Sequence, residues 1–281
     1  MPAKFFTGPG GNCLDAPAVR GVGSTEASFR YLPAIELNAQ ELEFVQGVFL
    51  KPLAAKQLGE LAASLDLRLS IHGSYYVNFC SSEKEKRDAS RKRILDACKI
   101  GELLGVKLVL FHPGYRGKLS SKECLELVVS ECEKMAGETS VPIGLETAGK
   151  KGGWGTLDEV IEASELVNKS CGRVACLPVV DWAHLYACNG GEINYGKILG
   201  ELVENNIKNL HSHFEGVEFG EKGEKRHLPL SSQQPPFAPL AKELAKRKND
   251  FETITLVCES PLLERDAAVM KRELEKCGVS F

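Results

Sequence analysis

Short apolar runs alternate with longer amphipathic stretches along most of this chain. The short runs have the length and composition of buried strands, and polar or glycine-containing segments follow them. The longer stretches repeat apolar residues with the helical period, which is typical of helices that pack one face against a core. Strands are therefore predicted at residues 4–7, 41–45, 68–72, 107–112, 142–146, 174–181, 207–213 and 253–259. Helices are predicted at 53–65, 83–104, 121–135, 157–167, 239–248 and 262–276.

This alternation predicts the α/β class and a (β/α)8 TIM barrel that forms a single domain over residues 1–281. The alternative, an open doubly wound sheet, would show a glycine-rich phosphate turn after the first strand, and GPGGNC at 8–13 matches one only weakly. A barrel forms its active site from the loops at the carboxyl ends of its strands. The longest irregular stretch, 214–236, is predicted to be an active-site loop because it contains His227.

The composition narrows the class of protein but does not indicate a function. The formal charge of −3 does not indicate a nucleic-acid binder, although bound cations would add positive charge at one place. Ten cysteines without a C-x-x-C pair are interpreted as reduced thiols. The N-terminus lacks the apolar core of a signal peptide, and no run approaches the roughly 18 apolar residues of a membrane helix. We therefore expect a soluble, cytoplasmic protein with no membrane partner.

Metal-ligating residue types lie where the predicted strands end. Carboxylates follow apolar runs at Glu146 in IGLETAG, Asp181 in VVDWAH and Glu259 in LVCESP. One strand-end histidine is usually structural, but a full set interleaved with carboxylates indicates a metal centre for Zn²⁺ or a similar ion. Residues 211 and 213 share a strand face, so both side chains are expected to point into the barrel. All six histidines follow such runs: His72, His112, His184, His211, His213 and His227.

The ordered motifs HGSYYVN, FHPGYRGK, LETAG, DWAH, LHSHFEG, EKRHLPL and CESP resemble the endonuclease IV family of apurinic/apyrimidinic endonucleases over nearly the whole chain. The resemblance implies a trinuclear zinc centre, with Mn²⁺ as an alternative at one position. Lys225 stands two residues before His227, where the family has an aspartate, so Glu224 is the expected acid. His213 is expected to be a supporting residue or an additional ligand. The implied ligands are His72, His112 and Glu146 for one ion; Glu146, Asp181, His211 and Glu259 for the second; and His184, Glu224 and His227 for the third.

The same resemblance implies contacts with DNA. Tyr75 and Tyr76 correspond to residues that enter the duplex at the lesion, where a planar side chain can unstack bases. Arg116 and Lys150 are expected to contact phosphates. The loop at 44–51 lacks an arginine found in some relatives, and Gln46 or Lys51 would replace it.

The predicted reaction is hydrolysis of the phosphodiester 5′ to an abasic site in duplex DNA, a step of base excision repair. The resemblance also suggests a monomer, associated with the nucleoid when it acts. Zinc lowers the pKa of a bound water from 15.7 toward roughly 7, and Glu146 and Glu259 would orient the attacking water. One alternative is a sugar isomerase or epimerase of the xylose isomerase-like barrels, which needs a single metal site. The other is a non-catalytic binder of nucleic acid.

Overall fold

The computed structural model describes residues 2–18, 20 and 23–281. In these residues the strands are β1 (Lys4–Pro9), β2 (Ala39–Glu43), β3 (Arg68–His72), β4 (Val109–Phe111), β5 (Ile143–Glu146), β6 (Cys176–Asp181), β7 (Asn209–Phe214), β8 (Gly216–Gly220), β9 (Gly223–Leu228) and β10 (Thr253–Cys258). The α-helices are α1 (Ser24–Tyr31), α2 (Pro52–Ser64), α3 (Lys84–Leu104), α4 (Ser121–Ala136), α5 (Leu157–Cys171), α6 (Trp182–Cys188), α7 (Tyr195–Glu204), α8 (Phe237–Lys246) and α9 (Glu264–Lys276).

Eight of these strands form one sheet in the order β1-β10-β7-β6-β5-β4-β3-β2. Its pairs β1–β10, β10–β7, β3–β4, β4–β5 and β5–β6 are parallel. Gly10, directly after β1, makes a parallel bridge to Glu41 of β2, so the first and last strands of this order are also neighbours. Each predicted strand is present, and helices separate the strands along the chain. The predicted (β/α)8 fold class is therefore confirmed.

The chain divides into two compact units. Unit 1 comprises Met1–Glu41, Leu65–Arg68 and Val180–Phe281, and unit 2 comprises Leu42–Ser64 and Leu69–Val179. The assignment of the whole chain to one domain stays a prediction. Within the described residues, no helix is long and apolar enough to cross a membrane.

In unit 2, local signals fix the helix starts. α4 and α5 each begin with a capping box, Ser120 with Glu123 and Thr156 with Glu159, in which side chains bind the first free backbone N–H groups. In the core of this unit, Leu108, Leu110 and Val179 pack together. These contacts hold β4 against its neighbours, because burial of apolar side chains is the main favourable contribution to folding.

In unit 1, the stretch that we predicted to be an irregular loop contains an antiparallel hairpin, β8–β9. The expectation of irregular structure was wrong because charged residues interrupt the alternation of apolar and polar positions that signals a strand. Val217 packs against Ala183 and Ala187 of α6, and the Phe219 ring lies 5.5 Å from that of Tyr186. The hairpin is thus fixed to α6, the helix that carries His184.

Candidate metal centre

Unit 2 holds the first group of candidate ligands at the ends of three neighbouring strands. His72 ends β3, His112 follows β4, and Glu146 ends β5. The Nε2 atoms of His72 and His112 lie 3.1 and 3.4 Å from Oε2 of Glu146. Two ligand atoms on one tetrahedral zinc, each about 2.0–2.1 Å from the ion, are separated by about 3.4 Å. The group therefore has the spacing of a metal site.

The His72 ring is held in the tautomer that such a site needs. Its Nδ1 lies 2.8 Å from the carbonyl of Gly73. A carbonyl only accepts, so Nδ1 donates the proton and Nε2 keeps its lone pair toward Glu146. Metal-bound histidines in proteins are usually anchored in this way.

Unit 1 holds a second group, formed by Asp181, His213 and Glu259. Nδ1 of His213 lies 3.2 Å from Oε1 of Glu259 and 3.9 Å from Oδ2 of Asp181. Asp181 also begins α6, because its Oδ1 accepts the backbone N–H of His184 at 2.7 Å. The carboxylate is thereby oriented by a helix start as well as by its neighbours.

The structure gives His211 and His213 different surroundings from those that the family resemblance implied. His213 is the penultimate residue of β7 and pairs with Val257, so it lies near Glu259, which follows β10. His211 is two residues further from that end, and its Nε2 contacts Oε2 of Glu41 at 3.0 Å. His213, rather than His211, therefore lies with Asp181 and Glu259.

Glu41 is a buried carboxylate that the sequence analysis did not single out. It lies between both histidines of β7, with Oε1 at 2.9 Å from Nε2 of His213. Burial opposes ionisation of Glu41, but His213 and His211 outweigh it and hold its pKa below the usual value. Burial lowers the pKa of His211. The signal in the sequence was an acid within the apolar run AQELEF.

A third group, also in unit 1, consists of His184, Glu224 and His227. The Glu224 carboxylate lies 3.3 Å from Nε2 of His184 and 3.4 Å from Nε2 of His227. Nδ1 of His227 donates to the backbone carbonyl of Glu259 at 3.1 Å, which leaves Nε2 for a ligand. The predicted acid of this group, Glu224, thus lies between the two predicted histidines.

A β-bulge explains how Glu224 and His227 come together. Residues three apart on a regular strand point to opposite faces. In the hairpin, Glu218 pairs with Arg226 but Phe219 pairs with Glu224, so Lys225 is an extra residue. The bulge restores a common face for Glu224 and His227.

Glu215 is a second carboxylate that the sequence analysis missed. It follows β7 directly, is fully buried, and neither of its oxygens accepts a hydrogen bond from any described residue. Its Oε1 lies 3.9 Å from Nε2 of His227. Burial, followed by the charge of Asp181, raises the pKa of Glu215 well above its usual value. Its position after the run LHSHF was the available signal.

The charges of this group depend on one another. Burial disfavours the protonated ring of His227, but Glu215 and Glu224 outweigh it and raise the pKa of His227 to about 11. Burial likewise opposes ionisation of Glu224, while His184 and His227 lower its pKa. A cation that binds here would displace the His227 proton and take over its role as counter-charge.

The residues expected to contact DNA lie in unit 2. Tyr75 and Tyr76 are each 66% exposed, and the Tyr75 ring stacks edge-on against His72 at 5.7 Å. Lys150 is exposed. Arg116 differs from the expectation, because its guanidinium lies 3.2 Å from Glu159 and is partly engaged there.

Comparisons with known proteins agree with this architecture. An uncharacterized protein of Methanocaldococcus jannaschii is 36% identical over 256 residues, covering 86% of this chain and 88% of that protein. An apurinic-apyrimidinic endonuclease of Caenorhabditis elegans is 28% identical over 202 residues, covering 68% of this chain and 49% of that protein. This chain therefore spans about half of the length of the nematode enzyme.

Solved structures share the fold at low identity. Endonuclease IV from Thermus thermophilus superposes with a TM-score of 0.68 at 20% identity, over 98% of this chain and 100% of the other. A D-tagatose 3-epimerase-like protein gives a TM-score of 0.66 at 20% identity, over 90% and 94% of the two chains. The model of the family described as "Xylose isomerase-like TIM barrel" matches residues 29–276. The chain belongs to the xylose isomerase-like TIM barrel family.

Proposed function

We propose that this protein is a zinc-dependent apurinic/apyrimidinic endonuclease that hydrolyses the phosphodiester 5′ to abasic sites in duplex DNA. The observation that carries the proposal is the complete third group of His184, Glu224 and His227, with ligand atoms 3.3 and 3.4 Å apart. An enzyme that binds one metal ion does not need this third set of ligands. The relatives named apurinic-apyrimidinic endonucleases support the same conclusion.

A sugar epimerase is the competing function, because solved epimerases have the same fold. At such low identity the fold does not choose between the two activities. The ligand groups favour the nuclease. Unit 2 alone brings His72 and His112 to Glu146, and unit 1 alone contains both remaining groups. A single-metal reaction leaves most of these buried groups without a purpose, and buried ionisable groups cost stability unless they are compensated.

The chain's own residues would divide the work as follows. Metal ions in these groups would supply Lewis acidity and lower the pKa of water. Glu259 would accept a hydrogen bond from the attacking water and fix its direction, and Glu146 would hold a metal ion together with His72 and His112. His184, Glu224 and His227 would hold positive charge where the leaving oxygen develops negative charge. Exposed Tyr75 and Tyr76 would enter the base stack at the lesion, and Lys150 would hold a flanking phosphate.

The test uses a duplex with one synthetic abasic site, end-labelled on the damaged strand. We expect incision on the 5′ side, leaving a 3′-hydroxyl that a DNA polymerase extends, and loss of activity on chelation. Zinc content is measured on the same sample, with about three ions per chain expected. Light scattering on the free protein would test the expected monomer.

Matched variants make this test specific. Glu259→Gln should abolish incision, whereas Glu221→Gln, a change at the exposed hairpin turn, should not affect it. Tyr75→Ala should lower kcat/KM on abasic duplex without changing the zinc content. The proposal fails if the metal-loaded protein does not incise the duplex but catalyses exchange of a sugar C–H proton with solvent deuterium.

A further inference from the structure

The third group and the Asp181 group adjoin each other within unit 1. Nδ1 of His184 lies 3.4 Å from Oδ2 of Asp181, so the side chains of the two groups are in contact. Glu215 is close to members of both. Glu215 follows Phe214, which pairs with Cys258, the residue before Glu259 of one group. Its Oε1 lies 3.9 Å from Nε2 of His227 of the other. No role follows for Glu215 from the resemblance to endonuclease IV.

A buried carboxylate without a hydrogen bond needs an explanation. Transfer of such a group from water into a protein interior is costly unless a donor, a cation or a proton compensates it. Within the described residues, neither Glu215 oxygen has a donor, although both are fully buried. The nearest cation candidate is His227, at 3.9 Å, whose Nε2 already contacts Glu224 at 3.4 Å. The positive charge near Glu215 is therefore too small to compensate an ionised carboxylate at this buried position.

The charges of the two groups can be compared with those of two divalent metal ions. Metal-binding histidines are neutral, so the two groups contribute three negative charges, from Asp181, Glu224 and Glu259. Glu215 contributes a fourth, and together these carboxylates balance the four positive charges of two divalent ions.

We propose that Glu215 is a metal ligand, shared between the two metal ions that the Asp181 and His184 groups hold. Its carboxylate would add a ligand to the two groups of three that unit 1 brings together. Burial of this side chain excludes exchange with solvent, so the ions are retained more strongly. This inference rests on the metal centre of the proposed function, but not on its substrate.

The test compares Glu215→Gln with the wild-type protein. Glutamine has the shape of the protonated acid, so it keeps the packing and removes only the charge. Competition with a chromophoric chelator should show at least one zinc per chain bound ten-fold or more weakly than in wild type. The control is Glu221→Gln, which removes an exposed carboxylate at the turn of the β8–β9 hairpin and should leave zinc binding unchanged.

Thermal unfolding separates a ligand from a structural residue. For a ligand, Glu215→Gln lowers the melting temperature of the zinc-loaded protein but does not lower that of the chelated protein, where glutamine replaces a protonated acid of the same shape. A structural residue would lower both. Unchanged zinc affinity in Glu215→Gln would overturn the inference, because Glu215 would then be an uncharged acid. Wild-type protein that binds no zinc would refute the metal centre itself, whereas zinc binding without incision would refute only the nuclease.

Discussion

Side-chain direction decides which of two neighbouring histidines faces the metal site. Both histidines of β7 point to the same face, but only His213 reaches Asp181 and Glu259. Glu41 holds the other nitrogen of His213 and thereby sets its tautomer. This arrangement corresponds to the carboxylate–histidine–metal triads that orient ligands in many metalloproteins.

The role of Glu41 leads to a prediction. In Glu41→Gln, the side chain offers one acceptor oxygen to the two Nε2 atoms, so one of them loses its partner. Zinc affinity should fall about 10–100-fold, because the tautomer of His213 is no longer fixed. Urea unfolding of the zinc-free protein should show a loss of about 1–3 kcal/mol in the free energy of unfolding.

Glu26→Gln is the control for this experiment, because the ion pair of Glu26 with Arg30 on α1 is a surface pair. It should change neither quantity measurably. If Glu41→Gln bound zinc as tightly as wild type, His213 would not depend on Glu41 for its orientation.

The residue types and the membership of the first and third groups were predictable from the sequence, but the partners of His211 and His213 were not. Histidines and acids after apolar runs identified His72, His112, Glu146, Asp181 and Glu259 as candidates, because strand ends in a barrel converge. Which acidic side chains His211 and His213 face depends on the register of β7 against β10. Register is a long-range property that a local pattern does not contain.

At the scale of elements, the third group depends on the match between the bulge in β9 and the spacing of Glu224 and His227. Lys225 is the extra residue that brings Glu224 and His227 to one face. Deletion of Lys225 would make the ladder regular and leave Glu224 and His227 two positions apart, still on one face. We expect this variant to keep its full zinc content by metal analysis.

Insertion of one glycine between Arg226 and His227 is the opposite change. The bulge no longer compensates for the spacing, so His227 turns away and one zinc per chain should be lost. Retention of all zinc by the insertion variant would mean that the hairpin does not supply this site.

The capping box of α5 gives a prediction about pH. Burial opposes ionisation of Glu159, but bonds from Ser121, from the backbone N–H groups of Thr156 and Gly155, and from Arg116 hold its pKa below the usual 4.5. The ionised form therefore stabilises the folded state. This contribution is fully present above the unfolded pKa and is lost as the pH falls through the folded pKa.

Glu159→Gln should lower the free energy of unfolding at pH 7 by about 1–2 kcal/mol. The difference from wild type should shrink between about pH 5 and pH 3 in urea titrations. Glu162→Gln, an exposed position on the same helix, is the control and should show no such dependence. A difference that stays constant with pH would contradict the assignment.

Elements with strong periodicity were predictable, and those with mixed patterns were not. α3 was expected at 83–104 and spans Lys84–Leu104, because its apolar positions repeat over many turns. α6 was missed because it starts immediately at the end of β6, with no loop between them. The hairpin was missed because charged residues interrupt the alternation of apolar and polar positions in its strands.

At the scale of the whole molecule, net charge bears on the proposed binding of DNA. The chain carries a formal charge of −3, which opposes association with a polyanion. Metal ions in the candidate groups would place positive charge where the proposed reaction needs the lesion phosphate. DNA binding should therefore depend on the ions as well as on basic side chains.

This dependence can be measured directly on a duplex with one abasic site and a phosphorothioate at the scissile position, which slows hydrolysis. By fluorescence anisotropy, chelation should raise the Kd for this duplex at least ten-fold. The Kd for an undamaged duplex should change less, because its phosphates contact side chains such as Lys150 rather than the buried ions. Equal changes for both duplexes would mean that the ions act through overall charge. No change for either would mean that they do not contact the phosphate, and that the exposed aromatic residues of unit 2 supply the affinity instead.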